Sequence, residues 1–154
     1  MYSIQDNLFD LEPITKSDLL LSGNDNCRLG VVTEMIFATI MLERGYDVFS
    51  PLGHSQKADL IVHKPPFKSK AIQIKKGTSR GGVSWQISTS TKKRTAAEGS
   101  VYTNYQIGDF DILAAHIAEV DCWALWRIEE VAGKSSVTWN KFETHRNNFD
   151  LLDL

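Results

Sequence analysis

The most constraining feature of the sequence is a long apolar run without proline over residues 26–44, NCRLGVVTEMIFATIMLER. Asn26 stands at the expected N-cap of a helix, and Gly45 follows where a left-handed residue commonly ends one. The pattern therefore predicts an α-helix over these residues, with one side packed against the rest of the protein.

Strand-like runs dominate the chain after this helix, and proline residues or glycine-containing turns separate them. The predicted strands cover residues 46–50, 58–64, 70–76, 83–89 and 122–131, while residues 111–120 fit either a helix or a strand. A helix followed by a meander of strands predicts an α/β fold, with a mixed β-sheet and flanking helices in a single domain over residues 1–154. Residues 1–25 lack regular spacing, and we expect an arm that packs on the body or on another subunit.

The composition is that of an ordinary globular protein, with 42% hydrophobic and 23% charged residues. No apolar run approaches the ~18 residues of a membrane span, and no signal peptide is recognisable, so we expect a cytoplasmic protein. The net charge of −2 hides an uneven distribution, because between Lys57 and Arg94 ten residues are basic and only Asp59 is acidic. This segment can form one positive surface, although a solvated basic face is the alternative.

Two residue types are expected to serve packing rather than chemistry. Cys27 and Cys122 match no metal-ligand or redox spacing, so we expect two buried thiols. The four tryptophans are expected to fill the core or an oligomer interface, and they are Trp85, Trp123, Trp126 and Trp139.

Two acidic residues stand in surroundings that make their charge conspicuous. Glu34 is the only charge in the middle of the predicted helix, and its helical neighbours Val31, Ala38 and Met41 look like core. Burying an unpaired carboxylate costs several kcal/mol, so Glu34 needs a cation or a hydrogen-bond donor unless it lies on the helix surface. Asp59 raises the same question at the start of an apolar strand, where bonding to its own turn is the alternative.

The third predicted strand carries an amide and an ammonium on one side. Gln73 and Lys75 alternate with Ile72 and Ile74, so the two polar side chains point the same way. Each alone would often be solvated on an edge strand. Together with Asp59 on the preceding strand, they would bring an acid, an amide oxygen and an ammonium within reach of one another.

Such a cluster suits the hydrolysis of a phosphodiester. Mg²⁺ requires oxygen ligands, which Asp59, the side-chain carbonyl of Gln73, a backbone carbonyl and Glu34 can supply. Lys75 can hold the attacking water in line with phosphorus and stabilise the charge that develops in the transition state. The candidate catalytic residues are therefore Glu34, Asp59, Gln73 and Lys75, and the first three are the candidate metal ligands.

The order of helix-Glu34, strand-Asp59 and Gln73-x-Lys75 resembles the PD-(D/E)XK nuclease superfamily, in the variant where glutamine replaces the acid of the (D/E)XK element. The segments RGYDVFSPLGHSQKADLIVHK, AIQIKKGTS and YQIGDFDILAAHIAE resemble in particular small homing endonucleases and Holliday-junction-resolvase-like proteins. The resemblance covers about residues 26–130, and Ala58 stands where the motif name places proline. It implies a restriction-endonuclease-like core of order αβββαβ around Mg²⁺, for which Mn²⁺ can substitute.

The resemblance further implies a metal-dependent, site-specific endonuclease acting on double-stranded DNA, most similar to homing endonucleases. The alternatives are a restriction, repair or Holliday-junction nuclease, or a catalytically inactive DNA-binding module, because Gln73 brings no negative charge. Two cuts in a duplex call for two active sites, so we expect a homodimer or homotetramer.

The residues expected to contact DNA lie in the basic segment and around the candidate site. Basic side chains neutralise phosphates, and the alternating polar residues of the strand over 83–89 can present hydrogen-bonding groups to a groove. Polar residues on a surface strand are also ordinary, and packing is the alternative for at least one of Tyr102 and Tyr105. The candidates are Lys57, Lys76, Arg80, Ser84, Gln86, Ser88, Lys92, Lys93, Arg94 and Tyr102.

Overall fold

The computed structural model describes residues 25–52, 56–95, 99–140 and 143–154. Helix α1 (Asp25–Glu43) confirms the predicted helix, although it begins one residue earlier than expected, so Asn26 lies in its first turn. Gly45 ends the helix with a φ of 81°, as its position predicted. The predicted N-terminal arm falls on residues 1–24, outside the described residues.

Ten strands are present in the described part of the chain. Their bounds are β1 (Asp47–Phe49), β2 (Leu60–His63), β3 (Lys70–Lys76), β4 (Thr78–Arg80), β5 (Ser84–Ser88), β6 (Ser90–Thr95), β7 (Gly99–Asn104), β8 (Ile112–Ile117), β9 (Cys122–Arg127) and β10 (Ser136–Asn140). Helix α2 (Ile128–Val131) follows β9, so the predicted strand over 122–131 is shorter than expected, whereas the ambiguous segment over 111–120 contains a strand.

The largest sheet has five strands in the order β1-β2-β3-β8-β9. Strands β3 and β8 are parallel, and the other neighbouring pairs are antiparallel. Two smaller sheets have the orders β10-β5-β4 and β6-β7. The mixed main sheet beside α1 confirms the predicted α/β fold class.

The connection between the parallel strands β3 and β8 differs from the αβββαβ order. A parallel pair needs a long crossover, and the resemblance implied a helix in this place. The described part of this connection carries β4 to β7 instead. The reason is the period-two pattern of β5, which buries Trp85 and Ile87 while Ser84 and Gln86 point to the other side.

The main sheet is covered on both faces by hydrophobic cores. On one face, Phe37 and Met41 of α1 pack with Ile72 and Ile74 of β3. The other core brings β8 and β9 together with Trp85 and other side chains of the three-stranded sheet. All four tryptophans are buried, which confirms their expected packing role.

Gly77 marks the place where the chain leaves the main sheet after β3. Its backbone N–H donates a hydrogen bond to the His116 carbonyl at 2.9 Å. A Cβ atom at this position would lie 2.5 Å from a methyl group of Ile117, so a larger residue would displace that side chain. The absence of a side chain thus lets β3 continue directly into β4.

The two cysteines differ in their exposure. Cys122 is buried as expected, whereas Cys27 is exposed, so the prediction for Cys27 was wrong. The cause is the position of Cys27 in the first turns of α1, where most residues of the range 27–32 remain exposed. No helix in the described part of the chain is long and apolar enough to cross a membrane.

Candidate active site

The start of β2 and the middle of β3 bring Asp59 and Gln73 into contact. The backbone N–H of Asp59 donates to the Ile72 carbonyl at 2.8 Å, which fixes the register at this point. One carboxylate oxygen of Asp59 accepts hydrogen bonds from the side-chain amide of Gln73 and from the backbone N–H of Ile74, the latter at 2.7 Å. The acid and the amide predicted from the sequence therefore meet on one side of the main sheet.

Gln73 is buried, and its amide nitrogen lies between two oxygen atoms. This Nε2 donates to the Asp59 carboxylate and also to the backbone carbonyl of Ile74 at 3.1 Å. Both acceptors are ligand types that a hard cation prefers. A half-turn of the amide group would exchange Nε2 for Oε1 and direct three oxygens from Asp59, Gln73 and Ile74 towards one place.

The carboxylates of Asp59 and Glu34 lie in each other's electrostatic field. Burial raises the pKa of Asp59, and the Ile74 N–H, the Lys75 charge and the Gln73 amide oppose that rise. Burial also raises the pKa of Glu34, and the negative charge of Asp59 raises it further. Because the surroundings disfavour the ionised form of both carboxyl groups, a cation bound beside them would offset their desolvation and their mutual repulsion.

Glu34 lies at the border of the buried face of α1 rather than within it. Thr33 and Phe37 face the core and are buried, whereas Val31 is 54% exposed. The expectation that Val31 belongs to the core was therefore wrong. Glu34 is half-buried, and its carboxylate lies within the electrostatic field of Asp59.

The oxygen donors at this place fit a divalent ion. Among the described residues, no group of three or more His, Cys, Asp or Glu side chains is placed to hold a metal ion. The available set consists of Asp59, Glu34, the amide oxygen of Gln73 and the Ile74 carbonyl. Mg²⁺ typically binds through one or two carboxylates and keeps several waters, so this donor set suits it.

Lys75 is half-buried on the same side of β3 as Gln73. Burial lowers the pKa of its ammonium, and the nearby carboxylate of Asp59 partly offsets this effect. The Lys75 Nζ atom also lies 5.3 Å from the centre of the Tyr105 ring. The third predicted member of the cluster is thus present beside the acid.

Sequence reasoning gave Lys57 only as a DNA contact and Tyr105 only as a packing residue or a DNA contact, and it did not place either of them beside Lys75. The Lys57 ammonium lies 5.6 Å from the centre of the same Tyr105 ring and 3.4 Å from a carboxylate oxygen of Asp109. Tyr105 and Asp109 follow the crossover strands, so strand alternation gave no sign of their proximity to Lys75. The available signal was the segment YQIGDFD, which belongs to one of the family-like stretches.

The candidate DNA-contacting residues fall into two regions. On the ribbon formed by β6 and β7, Lys92 and Tyr102 are exposed, and the Lys92 ammonium lies 5.7 Å from the Tyr102 ring centre. Tyr102 is thus accessible, whereas Tyr105 is fully buried. This agrees with the expectation that at least one of the two tyrosines packs in the protein. The side chains of Lys93 and Arg94 lie outside the described part of the structure.

The second region is the outer side of the three-stranded sheet. Arg80 donates to the side-chain oxygen of Gln86, and the side-chain amide nitrogen of Gln86 donates to the Ser136 hydroxyl oxygen at 2.8 Å. Ser84 is half-buried and Ser88 is exposed. Lys76 is exposed at the end of β3, on the side opposite Lys75.

A family model described as PD-(D/E)XK endonuclease matches residues 25–150 of this chain. The match covers most of the sequence, and the chain belongs to the PD-(D/E)XK endonuclease family. This confirms the family predicted from the sequence. Family membership implies DNA as the substrate and, in general, a divalent metal ion as the cofactor.

Two comparisons identify particular proteins that this chain resembles. Protein 5.3 of Escherichia phage T7 is 33% identical over 118 residues, which represent 77% of this chain and 93% of the phage protein. The structure of the bacterial homing endonuclease I-Ssp6803I matches with a TM-score of 0.61 and 19% identity, covering 75% of this chain and 76% of that chain. At this identity, the structural match shows a common fold.

Proposed function

We propose that this protein is a metal-dependent endonuclease that cuts double-stranded DNA at specific sites, in the manner of a homing endonuclease. The observation that carries the proposal is the meeting of Asp59, Gln73 and the Ile74 carbonyl beside Lys75 in a chain of the PD-(D/E)XK family. The likeness to I-Ssp6803I supports the homing class over the restriction, repair and resolvase classes.

Each residue of the cluster has a distinct role in the proposed reaction. Asp59, Glu34 and Gln73 would hold Mg²⁺ or Mn²⁺, which supplies a Lewis acid to the phosphate when bound. Lys75 places an ammonium beside Asp59, where it can orient the attacking water and stabilise charge on the phosphate oxygens. Burial lowers the pKa of Lys75, and the carboxylate of Asp59 opposes this effect and so favours the charged ammonium.

The DNA would lie across the surfaces that carry the exposed basic residues. Lys92 and Tyr102 project from the β6–β7 ribbon, and a two-stranded ribbon has the width to enter a major groove. Lys76 and Arg80 would neutralise phosphates closer to the candidate site. The remaining proposed contacts come from Lys57, Ser84, Gln86, Ser88, Lys93 and Arg94.

A randomised duplex library with Mg²⁺ or Mn²⁺ tests the function directly. We expect double-strand cleavage that stops on chelation of the metal, with selected sites that are long and tolerate substitutions. Short palindromic sites would favour restriction, and a preference for four-way junctions would favour a resolvase. Binding to DNA without cleavage in either metal would contradict the nuclease proposal and favour the inactive binding module.

We further propose that two copies of the chain associate through the exposed apolar face of α1. Val31 is 54%, Met35 64% and Leu42 59% exposed, and these three side chains lie along neighbouring turns of one helix. A second copy is the occupant that the proposed reaction requires, because cutting both strands calls for two active sites. Burial of such a face in an isologous contact would supply the hydrophobic driving force.

Met35→Glu should dissociate the assembly, because it places a charge in the middle of this apolar face. Light scattering after size-exclusion chromatography should give the monomer mass for the variant and at least twice that mass for the parent. Ile107→Glu is the matched control, because Ile107 is 72% exposed but lies far along the chain in the turn before β8. A parent that is monomeric at all concentrations would refute the interface.

A further inference from the structure

The side-chain amide of Gln73 lies where β3 extends past the beginning of β2. Strand pairing starts with Leu60 opposite Ile72, and the Asp59 N–H donates to the Ile72 carbonyl at 2.8 Å. Ile74 lies two residues further along β3, and side-chain atoms bond both its N–H and its carbonyl. The Asp59 carboxylate accepts from the Ile74 N–H at 2.7 Å, and the Gln73 Nε2 donates to the Ile74 carbonyl at 3.1 Å.

The two acceptors around the Gln73 Nε2 atom determine which way the amide points. The Asp59 oxygen that accepts from Nε2 also accepts from the Ile74 N–H, so it acts as an acceptor. The second neighbour of Nε2 is the Ile74 carbonyl oxygen. An amide oxygen in the place of Nε2 would face these two oxygens with no donor between them, which is costly for buried groups. Hydrogen bonding therefore directs the NH₂ group, and not the oxygen, towards Asp59 and Ile74.

A divalent cation beside Asp59 imposes the opposite requirement on the same amide. Mg²⁺ binds oxygen ligands, whereas the NH₂ group of an amide has only donors to offer. A half-turn that brings Oε1 towards a cation removes Nε2 from both the Asp59 carboxylate and the Ile74 carbonyl. The Gln73 amide thus serves either the two acceptors or the cation, and it cannot serve both at once.

We infer that Gln73 is a positioning residue with two alternative orientations, one that bonds Asp59 and Ile74 through Nε2 and one that presents Oε1 to a divalent cation. This inference rests on the proposed function, because the cation is that of the proposed reaction. The two oxygens that lose the amide donor in the half-turn are themselves of the type that the cation binds. The exchange therefore leaves no buried oxygen of Asp59 or Ile74 without a partner.

Glutamine is the residue type that suits both orientations. Its amide carries two donors and an acceptor on one planar group, whereas an ionised glutamate is an acceptor only. A carboxylate at position 73 would bind a cation but would donate to neither Asp59 nor Ile74. The glutamine at this position of the motif therefore keeps the acceptors of the site hydrogen-bonded until a cation replaces the NH₂ group.

The nuclear Overhauser effect between the side-chain NH₂ protons of Gln73 and the backbone amide proton of Ile74 tests the inference. Both groups donate to the same Asp59 oxygen, so their protons lie close together in the orientation that the structure shows. Isotope-labelled protein in EDTA should give this cross peak, and Gln73→Glu, which has no side-chain amide, assigns the Gln73 signal. Saturating Mg²⁺ should abolish the cross peak, because the half-turn directs the NH₂ group away from Ile74.

Two controls separate this rotation from a general effect of Mg²⁺ on the spectrum. Gln106 is exposed and its Nε2 donates to the Asn104 carbonyl at 3.3 Å, so its side-chain signal should not respond to the metal. The variant Asp59→Asn keeps an oxygen that can accept from Gln73 and Ile74 but loses the charge that attracts the cation. Its cross peak should therefore persist at the Mg²⁺ concentration that abolishes the one in the parent.

Isothermal titration of the parent with Mg²⁺ makes the possible failures distinguishable. A cross peak that persists while the titration shows Mg²⁺ bound would overturn the inference and leave the nuclease proposal intact. A cross peak that is absent from the parent in EDTA would also overturn it. A titration without any heat of binding would contradict the metal site on which the inference and the proposed function both depend. Neither measurement uses DNA, so a failure to cleave would be a separate result.

Discussion

Replacing Asp59 with asparagine should reduce the rate of DNA cleavage by about 10³-fold while the protein still folds. The Asp59 carboxylate uses one oxygen to accept hydrogen bonds from the Gln73 amide and the Ile74 N–H. The side-chain oxygen of asparagine can accept the same two bonds, so the variant removes the charge and retains the local structure. The loss would therefore report on the charge of Asp59.

Single-turnover cleavage at saturating DNA and isothermal titration with Mg²⁺ measure this effect. Both cleavage and metal binding should be lost in Asp59→Asn. Asp121→Asn is the matched control, because Asp121 is exposed and its φ of 44° is a conformation that asparagine accepts readily. Cleavage at the parent rate by Asp59→Asn would mean that the site is elsewhere.

The same substitution should not lower the thermal stability at neutral pH. The folded protein raises the pKa of Asp59, mainly by burial, so the ionised form disfavours folding. That cost is present above the folded-state pKa and disappears as the pH falls through it towards the ordinary value of an aspartate. Asparagine carries no charge and avoids this cost. As the pH falls, the melting temperature of the parent should therefore increase relative to that of the variant.

The cluster on β2 and β3 was predictable because it depends on local rules. Alternation along one strand places Gln73 and Lys75 on the same side, and an antiparallel neighbour brings Asp59 to them. Glu34 was singled out as the only charge in the middle of the predicted helix, and the family resemblance placed it in the same ordered set. None of these steps required knowledge of contacts between distant parts of the chain.

The features that the sequence did not predict depend on the crossover between β3 and β8. The residue pattern predicted one strand there, over 83–89, and the family resemblance implied a helix. The described part of the connection instead carries four strands, paired in separate sheets, and returns the chain at Tyr105 beside Lys75. The ring shared by two lysines is a consequence of that path. The exposure of Cys27 likewise depends on how far α1 extends beyond the sheet, which its apolar composition does not reveal.

Replacing Lys75 with methionine should reduce the cleavage rate by about 10²- to 10³-fold at neutral pH. Methionine has a similar length and no charge, so it fills the half-buried space while removing the ammonium. Lys70→Met on the same strand is the matched control, because Lys70 belongs to neither the candidate site nor the proposed DNA surface. Single-turnover rates at saturating DNA separate this loss from any change in DNA affinity.

The pH dependence of the parent and the Lys75→Met variant tests the role of the charge itself. The parent rate should rise as Asp59 and Glu34 lose their protons, because only the ionised carboxylates can hold the metal that the proposed reaction requires. It should fall again as Lys75 loses its proton, below the ordinary value of a lysine because burial lowers this pKa. The residual rate of Lys75→Met should keep the rise and lose the fall. A fall that persists in the variant would assign the high-pH limb to another group and remove Lys75 from the proposed reaction.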